Sequence, residues 1–176
     1  MREGESERSL LERERERERD MGLDMYLSAN KHIAKTKWED GGSSSIYPQF
    51  EEVIKAADLT GVDNDIYGAT VKINVAYWRK ANQIHKWFVD NIQEGEDNCR
   101  SYYVSKEKLN ELLALAKKSY SERDPSLLPP AEGFFFGGTD IDEWYWNSLD
   151  TTIQQLEKVL SLPNIDELDL EYQSSW

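Results

Sequence analysis

The amino-acid sequence predicts an α+β domain, with about four helices packed on a small, mostly antiparallel sheet. Apolar residues recur at helical spacing in several segments, and short alternating segments typical of strands lie between them. No glycine-rich turn leads from a strand into a helix, as it would in a doubly wound parallel sheet. These observations together favour helices packed against a small sheet in a single domain.

The first predicted strand covers residues 22–27, where apolar side chains alternate with other residues. The polar residues 30–45 include a Gly-Gly-Ser-Ser-Ser run and predict a loop. Pro48 suits the first turn of a helix. The apolar face of that helix consists of Phe50, Val53, Ile54 and Ala57.

The central segment begins as a strand near residue 69 and then changes to a helical pattern. Spacings of four, three, four and four residues define an apolar stripe of Tyr77, Ala81, Ile84, Phe88 and Ile92. Gly95 stands where a glycine commonly ends a helix. We therefore expect Tyr77 to belong to the same helix as Phe88.

A further strand is predicted at residues 100–104, and Ser105 then provides the N-cap of a helix. The buried face of this helix consists of Leu109, Leu112, Leu113, Ala116 and Tyr120. Residues 133–138 are apolar without alternation, which predicts a buried strand or a tightly packed loop.

The last helix is expected to begin at Thr139, because Thr139 with Asp142 and Glu143 resembles a capping box. Pro163 ends this helix, and residues 168–172 alternate as in a closing strand. The apolar face of the helix consists of Ile141, Tyr145, Leu149, Ile153, Leu156 and Leu160.

Composition limits the classes of partner. A net charge of −13 over 176 residues argues against nucleic acid and anionic membranes as partners, because both require a basic surface. The same charge leaves a basic host protein open as a partner, although acidity is also an ordinary way to stay soluble. The single Cys99 excludes an intramolecular disulfide and favours the cytoplasm of a bacterial host. No apolar stretch approaches the roughly 20 residues that span a bilayer.

Residues 1–20 differ in character from the rest of the chain. Glu and Arg alternate from position 12 to position 19, and this segment has little apolar surface to offset the entropy of ordering. We expect a disordered, charged leader or tail, with Met21 as the natural start. The globular domain then covers residues 21–176.

Six motifs across residues 21–176 resemble a family of small acidic proteins encoded by bacteriophages and prophages. They are MGLDMYL (21–27), VAYWRKANQIHKWF (75–88), GEDNC (95–99), YYVS (102–105), GFFFG (133–137) and YQSSW (172–176). The resemblance implies a cytoplasmic phage accessory protein that acts on host physiology or host defence. It implies no catalytic or ligand-binding role for any residue.

The central helical pattern also predicts a candidate binding site. Trp78, Asn82 and His85 form a strip beside the apolar stripe, and this mixture of ring, amide and imidazole is typical of a pocket rim. The ring of Trp78 would stack on a planar ligand, and the adjacent Arg79 would contact a phosphate. Further candidate ligand contacts are Tyr26, Arg100 and Tyr102. In the alternative interpretation Trp78 packs on the sheet, while Asn82 and His85 bond to loop carbonyls.

Other chemistry has little support in the sequence. His32 and His85 are the only histidines and lack the spacing of a metal site, so we predict no metal and no cofactor. Asp24 lies among apolar residues and is expected either to pair with Arg79 or Arg100, or to occupy a cleft with a raised pKa. No esterase, P-loop or dinucleotide-binding signature occurs.

These patterns favour a non-enzymatic binding protein that captures a small, polar, nucleotide-like aromatic ligand. The alternative is an acidic protein–protein inhibitor of a basic host protein. That inhibitor would use exposed tryptophans, with Trp144, Trp146 and Trp176 as the candidates. A small hydrolase is the third hypothesis.

Overall fold

The computed structural model describes residues 22–38, 42, 44–61, 65–133 and 138–176. Its α-helices in these ranges are α1 (Pro48–Ala56), α2 (Asn82–Asn91), α3 (Lys106–Glu122) and α4 (Glu143–Leu160). Its strands are β1 (Asp24–Ala34), β2 (Thr36–Trp38), β3 (Ser44–Ile46), β4 (Gly68–Arg79), β5 (Tyr102–Tyr103) and β6 (Asp169–Ser175). Short 3-10 helices occupy Pro125–Leu127 and Ile165–Glu167.

The principal sheet of the described residues has four strands in the order β4-β1-β6-β5, and every neighbouring pair is antiparallel. β1 lies at the centre, with Tyr26 opposite Tyr77 of β4 on one side and opposite Gln173 of β6 on the other. β2 and β3 form a separate antiparallel pair. The predicted α+β class, with helices packed on a small antiparallel sheet, is confirmed.

One face of the sheet is covered by α2, α3 and α4. Met25 and Leu27 of β1 join Tyr172 of β6 and the inward side chains of the helices in a continuous apolar cluster. The rings of Phe88 and Tyr172 stack with centroids 3.8 Å apart, which fixes α2 on the sheet. The buried residues of the three helices in this cluster include Ile84, Trp87, Phe88, Leu109, Leu112, Ala116, Tyr145, Leu149 and Leu156.

α1 lies outside this main cluster. It begins at Pro48, as predicted, and its buried side chains are Phe50 and Ile54. The predicted loop at residues 30–45 is wrong in part, because β1 continues to Ala34 and the β2–β3 pair follows it. β1 extends beyond its predicted end because β4 pairs with it along its whole length, as far as Ala34 opposite Gly68.

The predicted helical stripe is wrong at its first residue. β4 continues through Tyr77 to Arg79, and α2 begins only at Asn82. Lys80 separates the two elements, with a positive φ of 55° and a backbone N–H that donates to Leu23 O at 2.7 Å. Trp78 is therefore a strand residue, whereas the later stripe residues Ile84 and Phe88 are buried on α2 as expected.

The helix starts were predicted with mixed success. Ser105 caps α3, and its Oγ accepts from Lys108 N–H at 3.2 Å. The N-cap of α4 is Asp142 rather than Thr139, because the Asp142 carboxylate accepts from Tyr145 N–H at 3.1 Å. Gly95 has a positive φ of 84° in the turn that follows α2. Most of the apolar segment 133–138 lies outside the described residues, and so does the leader at 1–20.

Candidate functional site

A groove runs between the end of β4 and the first turns of α4, and we call it the Trp144 groove. Its volume is about 230 Å³. Its walls are formed by Tyr77, Trp78, Arg79, Ala81, Trp144, Asn147, Ser148 and Thr151. The groove therefore brings two of the predicted site residues, Trp78 and Arg79, next to one flank of a helix.

Two contacts fix the spacing of the groove walls. Trp78 Nε1–H donates to Thr152 Oγ1 at 2.9 Å, inside the core. Gln155 bridges α4 to the free edge of β4: its Oε1 accepts from Tyr77 N–H at 2.6 Å and its Nε2 donates to Tyr77 O at 2.9 Å. The groove is thus held between two elements that are hydrogen bonded to each other.

Two residues of the groove lining are exposed aromatics. Trp144 has 61% of its surface exposed and Tyr77 has 45% exposed, in contrast to Trp78, which is buried. The Tyr77 ring contacts Tyr26 at a centroid distance of 5.4 Å, and its hydroxyl donates to Asp24 Oδ1. This hydrogen bond is the main cause that raises the pKa of Tyr77, with burial as the next cause. Tyr26 therefore supports the Tyr77 ring from the neighbouring strand.

Positive charge lies at one end of the groove. Arg79 lines it and stands opposite Asp24 in the β1–β4 register, which is the placement predicted for a pair between these residues. Ala81, which also lines the groove, is the N-cap residue of α2, and the first turn of α2 contains no acidic side chain. The partial positive charge of this helix start is therefore not neutralised from within the first turn.

A smaller cavity of about 160 Å³ lies on the other side of Trp144. Its polar lining includes Lys80, Asn82, Asp140 and Asp142. Trp144 therefore lines both a groove whose charged lining residue is Arg79 and a cavity whose charged lining residues are Lys80, Asp140 and Asp142.

Asn82 and His85 lie on α2 as predicted, but their polar atoms bond within the protein. Asn82 Nδ2 donates to Gly138 O at 2.8 Å, and its Oδ1 accepts from Ala131 N–H at 3.2 Å. This is the loop-carbonyl arrangement of the alternative interpretation. Both side chains are buried, so a direct ligand contact by either residue stays a prediction.

His85 belongs to a chain of hydrogen bonds that runs from the buried Tyr172 to the exposed Trp176. Its Nδ1 is 2.7 Å from Tyr172 Oη, and its Nε2 is 2.9 Å from Asp97 Oδ2. The other carboxylate oxygen of Asp97 accepts from Trp176 Nε1–H at 3.1 Å. Burial raises the pKa of Tyr172 well above its usual value, and the Asp97 charge adds to this effect.

The pocket beside this chain has a volume of about 380 Å³ and includes His85, Asp97 and Glu132 in its lining. Both ring nitrogens of His85 are hydrogen bonded within the protein, to Tyr172 and to Asp97. These two bonds fix the orientation of the imidazole beside the pocket.

Tyr102 and Arg100 lie on the opposite side of the sheet's strand order from the groove, near β5 and not near β4. Tyr102 is in β5, at the opposite edge from β4, and its hydroxyl accepts from Asn98 Nδ2 at 2.7 Å. Arg100 is exposed just before this strand. The structure therefore does not bring these two predicted residues together with Arg79.

The sequence reasoning missed the helical wall of the groove. Trp144, Asn147 and Thr151 recur at spacings of three and four residues, which places them on one flank of α4. The sequence analysis predicted that Trp144 is exposed, but assigned it to a contact with another protein and not to the wall of a groove. The helical spacing was therefore a usable signal, whereas the position of β4 beside this flank was not visible in the sequence.

In the described residues, no group of three or more His, Cys, Asp or Glu side chains is arranged to hold a metal ion. Within the same residues, no helix has the length and apolar character to cross a membrane.

Comparison with known proteins adds no relative. No family model, no curated protein and no solved structure matches this chain. The resemblance to bacteriophage proteins therefore stays a prediction.

Proposed function

We propose that this protein binds a small, polar, nucleotide-like aromatic ligand in the Trp144 groove and acts as a phage accessory protein, with counter-defence as its role. The observation that carries the proposal is the exposed Trp144 in the lining of a groove that also includes Arg79.

The aromatic walls support a planar ligand. The exposed indole of Trp144 lines the groove and offers a surface on which a planar ligand can stack. Stacking of a base on an aromatic side chain contributes about 1–3 kcal/mol per base. Asn147 and Thr151 on the α4 wall would supply hydrogen bonds to the polar edge of such a ring.

The charge distribution supports an anionic group at the β4 end. The Arg79 guanidinium can bind a phosphate with two parallel hydrogen bonds. The start of α2 at Ala81 adds partial positive charge on the same side. The ring of the ligand would then lie on Trp144, with its phosphate directed toward Arg79.

Isothermal titration calorimetry with a panel of nucleoside monophosphates tests this proposal. We expect at least one of these compounds to bind, and Trp144→Ala to weaken its binding by about 10- to 100-fold through the loss of stacking. Arg79→Gln should weaken binding of the monophosphate but not of the matching nucleoside. Native mass spectrometry of protein purified from a bacterial host, followed by analysis of the released compounds, would identify a natural ligand.

Tyr103→Ala is the matched control, because Tyr103 is also an exposed aromatic residue but lies in β5, at the other edge of the sheet. This variant should bind as the wild type does. The proposal is contradicted if no compound binds, or if Trp144→Ala and Tyr103→Ala weaken binding equally.

The inhibitor hypothesis has one observation in its favour. Trp144 and Trp176 are exposed by 61% and 44%, and exposed tryptophans often anchor protein interfaces. A basic host protein bound by this acidic chain should dissociate as salt is added. This second function would be favoured if a host protein co-purifies and is released by salt, and if native mass spectrometry detects no small molecule bound to the chain.

A further inference from the structure

The outer edge of β4 carries backbone groups for which the described part of the chain provides no bonding partner. Lys35 N–H donates to Tyr67 O at 2.9 Å, so Tyr67 directs its backbone groups toward β1. Successive residues of a strand alternate in this direction. The backbone groups that point away from β1 therefore belong to Gly68, Thr70, Lys72 and Asn74.

Beyond Asn74 a β-bulge leaves Val75 without a partner in β1, and this extra residue reverses the alternation. Other contacts agree with these directions. Val104 N–H donates to Leu170 O, so residues 169, 171 and 173 of β6 direct their backbone groups toward β1. Tyr26 then faces β6, and its partner Tyr77 must face away from β1. The bonds from Gln155 to the Tyr77 backbone show this directly. α4 thus closes the edge at Tyr77 and leaves residues 68–74 open.

The side chains of this open segment suit pairing with another strand. Ala69, Val71 and Ile73 form an apolar row on one face, and Ile73 has 58% of its surface exposed. The segment contains a single cation, Lys72, and no acid. Lys72 Nζ donates to Glu171 Oε2 of β6 at 3.1 Å. A lysine is a common means of keeping an edge strand from pairing, so a second lysine directly opposite Lys72 would oppose the pairing.

We propose that two copies of this chain associate by antiparallel pairing of β4 with β4, which joins their four-stranded sheets into one continuous sheet. Each outward backbone group would then have a partner, and Ile73 would be covered. The inference is independent of the Trp144 groove, because that groove begins beyond the paired segment, at Tyr77.

The residues select one register among those that pair outward residues near the centre of the segment. Thr70 opposite itself would place Asn74 opposite Ile66, which precedes the start of β4 at Gly68. Lys72 opposite itself would place like charges together, which is destabilising. Lys72 opposite Asn74 would extend the pairing to Tyr77, where Gln155 already occupies the edge. Thr70 opposite Lys72 avoids these conflicts.

In this register Val71 stands opposite Val71 of the second copy, and Ile73 stands opposite Ala69. The apolar row of one copy therefore meets the apolar row of the other. This self-complementarity favours a second copy as the occupant over a basic peptide, because the open segment offers no acid to such a peptide.

Sedimentation of the full chain over a wide concentration range tests the dimer, at moderate salt to screen the net charge of −13. Thr70→Pro removes one outward N–H donor from each copy but no bond to β1, so the monomer should fold. We expect its dimer dissociation constant to rise about tenfold or more. Thr70→Val is the matched control, because it keeps the N–H group and should dimerise.

Cysteine cross-linking in a Cys99→Ser background tests the register. Residues opposite each other in a non-hydrogen-bonded pair have Cα atoms about 4.5 Å apart, which a disulfide can span. Val71→Cys should therefore form a cross-linked dimer, whereas Ile73→Cys should not. The proposal is overturned by a wild-type chain that stays monomeric, by a Thr70→Pro variant that dimerises as the wild type does, or by cross-linking of Ile73→Cys in place of Val71→Cys.

Discussion

At the scale of single residues, one glutamine replaces a missing strand. The side-chain amide of Gln155 presents an acceptor and a donor to the backbone of Tyr77, at the positions where a neighbouring strand would present them. The sheet edge is thereby satisfied at the one point where α4 passes it. This contact also holds the Trp144 groove at its β4 end.

Gln155→Ala should lower the free energy of unfolding by about 1–2 kcal/mol, because two hydrogen bonds are lost at a partly exposed site. Urea denaturation measures this change. Gln154→Ala is the control, since the side chain of Gln154 bonds to Asp150 one turn earlier on the surface of α4. Its effect should stay within about 0.5 kcal/mol, and equal losses in the two variants would refute the bridging role.

The predicted site residues show what a sequence can and cannot specify at this scale. Trp78 and Arg79 were predicted to belong to one site, and both line the groove. They are adjacent in the sequence, so no distant contact had to be predicted to place them together. His85 was predicted as a pocket residue from its polar character on a half-buried face. Its partners Tyr172 and Asp97 come from β6 and from the turn after α2, and the helical pattern contains no information about them.

At the scale of elements, the first turn of α4 depends on one carboxylate. Asp142 accepts from Tyr145 N–H and is the N-cap. The sequence predicted that the helix begins at Thr139, but Thr139 lies before it. A capping-box pattern can fit two registers when several polar residues precede a helix. The structure selects the later one.

Asp142→Ala should therefore destabilise the protein by about 1 kcal/mol through loss of the N-cap, and Asp142→Asn should retain most of the stability. Thr139→Ala should have no measurable effect. Thermal melts of the three variants provide the test. A larger loss from Thr139→Ala than from Asp142→Ala would restore the earlier start.

The junction of β4 and α2 explains the main error in the predicted elements. Tyr77 and Ala81 have helical spacing by coincidence, while residues 75–79 alternate between the core and the outer face of the sheet. Pairing with β1 determines which pattern is realised. The other helices were predicted well, because their apolar stripes are long and their packing is the main source of their stability.

At the scale of the whole molecule, the apolar interior of the described residues has two parts. The main cluster joins the sheet to α2, α3 and α4, while Phe50 and Ile54 of α1 are buried outside it. Regions with separate contacts can open separately. We therefore expect α1 to unfold locally at a lower free energy than the main cluster.

Hydrogen exchange of two variants tests this division. Ile54→Ala should increase exchange in α1 and leave the protection of α3 and α4 unchanged. Leu156→Ala, a truncation inside the main cluster, should lower the global stability by about 2–5 kcal/mol and increase exchange throughout. A uniform increase in exchange in the Ile54→Ala variant would show that the two parts unfold together.

The uneven burial of the tryptophans has a spectroscopic consequence. Trp78 and Trp87 are buried, whereas Trp144 and Trp176 are in contact with solvent. Aqueous quenchers such as acrylamide will therefore act mainly on the exposed indoles, and their emission will lie at longer wavelength than that of the core. The difference between the spectra of the wild type and a Trp144→Phe variant isolates the indole of the groove, so the chain contains its own optical reporter of whether that groove is occupied.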